Sequence, residues 1–171
     1  YTMYKIIILD FGNATFLTSD SGSSNVGEII FEKMPKTVLL FTTATIIISI
    51  IGILLGAASS NKIGSVTDRI TSTFAVISSS FPVWWIGMLM IFVFAFVWQI
   101  FPARATPSIE PNDPGYILAL LYHMALPVIT IVLIGFGAWA YLVRNFMVGI
   151  MQEDFINAKK TIGISKKKIV Y

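Results

Sequence analysis

The sequence has no cysteine and a single histidine, His123. A disulfide framework, a thiolate metal site and a cysteine nucleophile are excluded, as is any site that needs two imidazoles. Charge is scarce too. Only 12% of the 171 residues are Asp, Glu, Lys or Arg, against about 25% in an ordinary soluble domain. The chain is not disordered, because disorder requires low hydrophobicity and many charges. It is not a soluble globule either. With 56% hydrophobic residues and a mean hydropathy of +0.79, a domain of this size has too little polar surface to face water. No GxxxxGK[ST], HExxH or GxSxG motif is present, so nothing marks the chain as an enzyme of those classes.

What the sequence does contain is long uncharged runs. They cover 25 residues between Lys36 and Lys62, 34 between Arg69 and Arg104, and 30 between Asp113 and Arg144. A membrane-spanning helix needs about 20 predominantly apolar residues. The runs therefore predict three full spans, Thr37–Ala58, Phe81–Phe101 (with a start as early as Thr73) and His123–Val143, and an all-α, polytopic membrane helix bundle.

The charges between the runs orient it. Eight of the twelve basic residues fall in segments 59–69 and 144–171, and six of the nine acids fall elsewhere. Cytoplasmic loops are enriched in Lys and Arg. The expected organisation is an extracytoplasmic segment 1–36, then a transmembrane core 37–143, then a cytoplasmic segment 144–171. Within the core lie a cytoplasmic loop 59–69 and an outer loop 100–122. The chain starts at Tyr1 without an initiator Met and stops at Tyr171 in a Lys-rich segment, so it is expected to be a fragment, with an earlier span and others after it.

Within this frame, Thr18–Gly27 reads as a flexible loop and Val26–Lys33 as a short surface helix. Pro35 suits the start of the first span. Ser49, Gly52 and Gly56 form a small-residue face suited to close helix packing. Ser80, Pro82 and Trp84 mark either a helix break that lines a translocation path or a start at the membrane interface, since Pro82 removes a backbone donor and disfavours helix at Phe81. His123 reads as a boundary residue rather than a proton relay.

The tail is the most informative stretch. Glu153 and Asp154 open a predicted helix that Lys159 and Lys160 close, an order that suits the helix dipole. Met151, Phe155, Ala158 and Ile162 share one face. Gly163 fits the position after a helix end, and Ser165 caps a second helix. Two short helices joined by a glycine suit a docking element better than a lipid-surface helix, because acids stand among the lysines.

This tail, EDFINAKKTIGISKKKIV, resembles the cytoplasmic EAA loop of ABC-transporter permeases. Glu153, Asp154, Phe155, Ile156, Lys160, Gly163, Ile164 and Ser165 agree with its pattern, whereas Lys159, Thr161 and Ile162 depart from it. Elements upstream agree in the same order: Leu9–Gly12, Glu32–Thr37, the stretch SSSFPVWWIGMLMIFVF, Gln99–Ala103 and Ala125–Pro127. Together they resemble the B-type permeases of the dipeptide/oligopeptide/nickel importers, a MetI-like fold, over nearly the whole chain. The resemblance implies a multi-pass subunit of the cell membrane that takes a substrate from an extracytoplasmic binding protein. It also implies a second homologous permease and two cytoplasmic ATPase subunits as partners. ATP would be bound and hydrolysed by those ATPases, so this chain is expected to be no enzyme and to hold no cofactor or metal. Glu153, Asp154, Ala158 and Gly163 are the expected ATPase-coupling residues. The substrate stays open among peptides, nickel complexes and oligosaccharides. The other classes consistent with the composition are a subunit of an ion-gradient-driven transporter or channel, and a passive membrane anchor. The three spans carry no carboxylate of the kind the ion-driven class needs.

Overall fold

The structure, a computed structural model, describes residues 11–19, 22–109, 111–153, 156 and 162. It forms two compact units, up to Thr42 and from Thr43 onward. The described residues are predominantly helical and contain no strand; one isolated antiparallel bridge joins Asn13 and Asn25.

Around that bridge the chain makes a closed turn. The Ala14 N–H donates to Ser24 O (2.8 Å) and the Val26 N–H to Gly12 O (3.0 Å). The buried Ser19 hydroxyl accepts from the Ser23 N–H at 3.0 Å. Gly12 and Gly22 supply the positive φ angles this path needs, 71° and 83°. The described part of Thr18–Gly27 is thus hydrogen-bonded turn, where composition alone suggests a flexible loop.

Helix α1 runs over Val26–Ser60. Asn25 caps it, its Oδ1 accepting from the N–H groups of Gly27 (2.8 Å) and Glu28 (3.3 Å). The helix continues through Pro35 rather than starting there. The expected surface helix Val26–Lys33 and span Thr37–Ala58 are therefore parts of one element. A cap at Asn25 satisfies the first orphan N–H groups, and the proline then forfeits one internal bond without ending the helix.

Helix α2 spans Val66–Ser80. Its start is over-determined: Gly64 (φ 77°) turns the chain, Ser65 Oγ accepts from the Asp68 N–H (3.3 Å), and Asp68 Oδ2 accepts from the Gly64 N–H (2.7 Å). This is a capping box whose acid reaches one residue further back than usual. Helix α3, Val83–Met90, follows and continues as a π-helix over Ile91–Val97. The sequence predicts a span Phe81–Phe101. In the structure Phe81 and Pro82 are extended, and α2 meets the α3–π segment at 95°. The hydroxyls of Ser78, Ser79 and Ser80 donate to the carbonyls of Ala75, Ala75 and Val76 at 3.2, 2.7 and 2.7 Å, so each serine hydroxyl finds its partner within its own helix. The π-helix ends at Gln99, whose φ of 52° is the only positive value at a described non-glycine residue. Ile100 N–H then bonds back to Phe94 O at 2.9 Å, as does Phe101 N–H at 3.2 Å, which closes this end of the segment.

Helix α4 covers Tyr116–Ile150 and carries Pro127 inside it. It contains the expected span His123–Val143 and extends beyond it at both ends. Small residues let its neighbours come close. A Cβ on Gly56 would stand 2.7 Å from Ala140 O, and one on Gly52 would stand 2.3 Å from the Trp139 ring. On the other side a Cβ on Gly137 would meet Phe74 at 2.9 Å, next to the stacked pair Phe74–Phe136. The core is small: Ala44, Ala57, Ala75, Met124, Leu126 and Ala140 are buried, whereas large apolar side chains along every helix are exposed. That inversion is what a chain solvated by lipid and by partner helices presents.

Candidate functional site

Two contacts fix the broken segment to α4. At one end Arg144 grips Asp68. Its Nε donates to Oδ1 at 2.6 Å and its Nη2 to Oδ2 at 3.1 Å. Asp68 is buried and the Arg144 side chain is only 17% exposed. Further partners support both groups: Nη1 donates to Asn145 Oδ1 at 2.9 Å, the guanidinium stands 6.0 Å from the Tyr141 ring centre, and Asp68 Oδ2 takes the Gly64 N–H. Ser59 and Thr71 are twelve positions apart, and their hydroxyls meet in the same region, Ser59 Oγ donating to Thr71 Oγ1 at 3.0 Å with Ser59 fully buried. At the other end the Tyr122 hydroxyl donates to Ile100 O. Phe94, Trp98, Phe101 and Tyr122 gather there, and His123 Nδ1 donates to Ala119 O of its own helix at 2.8 Å.

Tyr122 and Arg144 lie 22 positions apart on α4, about 33 Å along its axis. That matches the roughly 30 Å hydrocarbon core of a bilayer. The segment from Asp68 to Ile100 is held at both ends of this length. Its two ends are thus attached about one bilayer thickness apart along α4, the spacing a broken span needs.

Beside the break are two clefts. One, of about 300 Å³, is lined by Val83, Trp84, Gly87 and Ile91, by Pro102–Ala105 and by Leu126, Pro127, Thr130 and Ile131. It is almost wholly apolar, with Arg104 as its charged member. The other, of about 440 Å³, is lined by Ala75, Val76, Ser79, Ser80, Ala138 and Tyr141. The candidate path residues are thus divided. Trp84 lines the first cleft, Ser80 the second with its hydroxyl bonded to Val76 O, and Pro82 forms the corner between them. They do not share one cavity.

A third cleft, of about 290 Å³, joins Ser60–Ile63 to Val148, Met151 and Gln152 where α4 ends. Glu153 sits in the turn just beyond. Its N–H donates to Ile150 O at 3.1 Å, and its carbonyl accepts from the Ile156 N–H at 3.0 Å. Ile156 is buried and Ile162 is 75% exposed. Asp154, Ala158 and Gly163, the other expected coupling residues, lie outside the described residues. Among the described residues no three His, Asp or Glu side chains come together at metal-binding range. The chemistry on view is positioning: a buried ion pair, a helix elbow and apolar clefts. Sequence reading missed the ion pair. Asp68 and Arg144 were counted only as loop charges, and the one hint was that Asp68 is the lone acid in segment 59–69.

The sequence pattern of the family described as "Binding-protein-dependent transport system inner membrane component" matches residues 48–171. The chain is also similar to the inner membrane ABC transporter permease protein YejB of Escherichia coli O157:H7, 28% identical over 174 residues, covering 99% of this chain and 46% of that protein. It is 28% identical to the peptidoglycan transport system permease protein YejB of Agrobacterium fabrum over 176 residues, covering 99% and 46%. It is 28% identical to the dipeptide transport system permease protein DppB of Bacillus subtilis over 170 residues, covering 99% and 50%. The chain spans about half the length of these relatives.

Proposed function

The chain belongs to the family of binding-protein-dependent transport system inner membrane components and is a multi-pass membrane protein, and from that we propose that it is a permease subunit of an ATP-driven importer of peptides or similar small solutes. Permeases named for peptide, dipeptide and peptidoglycan transport are among its relatives, which favours a peptide-like substrate. A second homologous permease would complete the pathway, and a binding protein would deliver the substrate from outside. Two cytoplasmic ATPases would bind and hydrolyse ATP, so this chain itself would need no cofactor.

The observation that supports the reading is the attachment of the broken segment to α4 at two points about one bilayer thickness apart. A single crossing of that segment would put the Asp68–Arg144 end on one side of the membrane and the Ile100–Tyr122 end on the other. The basic segments 59–69 and 144–171 then share one side, which the Lys and Arg excess makes cytoplasmic. Residues 151–171 leave α4 on that side, where ATPases would dock. Glu153 and Asp154 would set the start of the docking helix, Ala158 would sit in its contact face and Gly163 would allow its turn. ATP-driven rocking of the helices would open the clefts beside Pro82 alternately to the two sides.

The test is extraction of the native complex in mild detergent and mass spectrometry of what travels with the chain. The expected result is two ATPase chains and a second permease. Recovery of this chain alone, under conditions that keep a control ABC complex intact, would overturn the reading in favour of a gradient-driven transporter or an anchor.

A further inference from the structure

We propose that Asp68 and Arg144 are positioning residues that latch the broken span to α4 and carry movement of the α4 exit to the elbow at Phe81–Pro82. The proposal rests on the importer reading above and names the part of the chain that transmits the stroke. Arg144 stands six residues before α4 ends at Ile150, so any push on the following segment reaches it within two helical turns. Apolar side chains can slide past one another at little cost. A bidentate pair with both members mostly buried cannot, because separating it leaves two uncompensated charges. The pair is also stiff at each root: Asp68 is tied to the turn at Gly64 and Ser65, and the guanidinium is held by Asn145 as well. Asp68 lies in the first turn of α2, and α2 ends at the elbow. Movement of α2 therefore changes the angle at Phe81–Pro82. That elbow borders both clefts, through Ser80 on one side and Trp84 on the other. A signal arriving at Arg144 would reach the elbow through α2, in addition to the cleft that Tyr141 of α4 already borders.

These 171 residues carry no cysteine, so a thiol introduced here has no neighbour of its kind in this part of the chain. Asp68→Glu, Asp68→Asn, Arg144→Gln and the pair Asp68→Cys/Arg144→Cys are made in the full-length chain. Each is assembled with its partners and reconstituted in vesicles with the loaded binding protein, with a labelled tripeptide mixture as the probe. The quantity read is tripeptide transported per ATP hydrolysed, which a purely structural role would not move in the complexes that assemble. Asp68→Asn and Arg144→Gln are expected to lower it about tenfold, a typical coupling between two linked sites, while ATP hydrolysis persists. Asp68→Glu should recover most of the loss. The cysteine pair should be uncoupled as free thiols and regain coupling when joined by a short bis-thiol-reactive linker. An unchanged ratio in the neutral variants, or a linked pair that hydrolyses ATP without transport, would overturn the latch. If the neutral variants fail to assemble, the cysteine pair assembled in linked form decides alone, restored coupling supporting the latch and absent coupling overturning it. A wild-type complex that shows no ATP-dependent uptake would instead sink the importer reading, and the latch with it.

Discussion

Ser59 illustrates how polar side chains are handled in a chain this apolar. It is fully buried, and its hydroxyl donates to Thr71 across the contact between α1 and α2. Thr71→Val keeps the shape but removes the acceptor, leaving a buried O–H unsatisfied. The expected cost is about 1 kcal/mol, read as a lower unfolding midpoint of the purified protein in detergent, whereas Ser59→Ala/Thr71→Val together should cost less than the single change. Residue-scale partnerships of this kind are hard to see in the sequence. Ser59 and Thr71 are twelve positions apart and Asp68 and Arg144 are 76 apart, and nothing local distinguishes a hydroxyl or a charge with a distant partner from one in solvent. The serines before Pro82 suggest hydroxyls for the carbonyls a proline frees, but they bond Ala75 O and Val76 O instead of the Ser78 carbonyl.

At the scale of elements, glycine placement decides which helices touch. Gly56→Ala would push a Cβ to 2.7 Å from the Ala140 carbonyl, a backbone atom that cannot rotate away. The helices must separate, at an expected cost of about 1–3 kcal/mol. Gly87→Ala is the control: nothing lies within 4 Å of its Cβ, and the better helix former should stabilise α3 by up to about 1 kcal/mol. Thermal unfolding of the two variants side by side checks the opposite signs. The small-residue face of α1 was readable from spacing alone, and so were the middles of the two long helices, because charge-free runs of span length are rare in soluble chains. Their ends were not readable. The Asn25 cap begins α1 well before Pro35, and a capping side chain outweighs a proline's preference for the first turn. The π-helix Ile91–Val97 was illegible, since IFVFAFV has the composition of any buried apolar run.

For the whole molecule the checkable quantity is which loops share a side. Single cysteines placed at Lys62 and at Asn112, in a background with no other reactive thiol, should behave oppositely towards a membrane-impermeant maleimide in intact cells. Asn112→Cys should label directly, and Lys62→Cys only after the membrane is opened. Labelling of both from outside would break the single-crossing topology. Three uncharged runs were legible as three candidate spans, of which the first and third are single long helices and the second is the bent pair. The right-angle break in the second was not legible, because Pro82 marks a position in the sequence but carries no angle.

That break has a consequence in contour length. The two arms, Val66–Ser80 and Val83–Val97, are each about 22 Å long if fully helical. Laid end to end they would measure roughly 45 Å, more than the approximately 33 Å between the two attachment points on α4. Joined near a right angle they reach across about 33 Å, so the bend is the geometry the attachments demand. Opening that corner must lengthen the strut and strain an attachment, and it must also slide Phe74 over Phe136 and α2 past Gly137. Distance between the attachments and angle at Pro82 are thus linked in this protein.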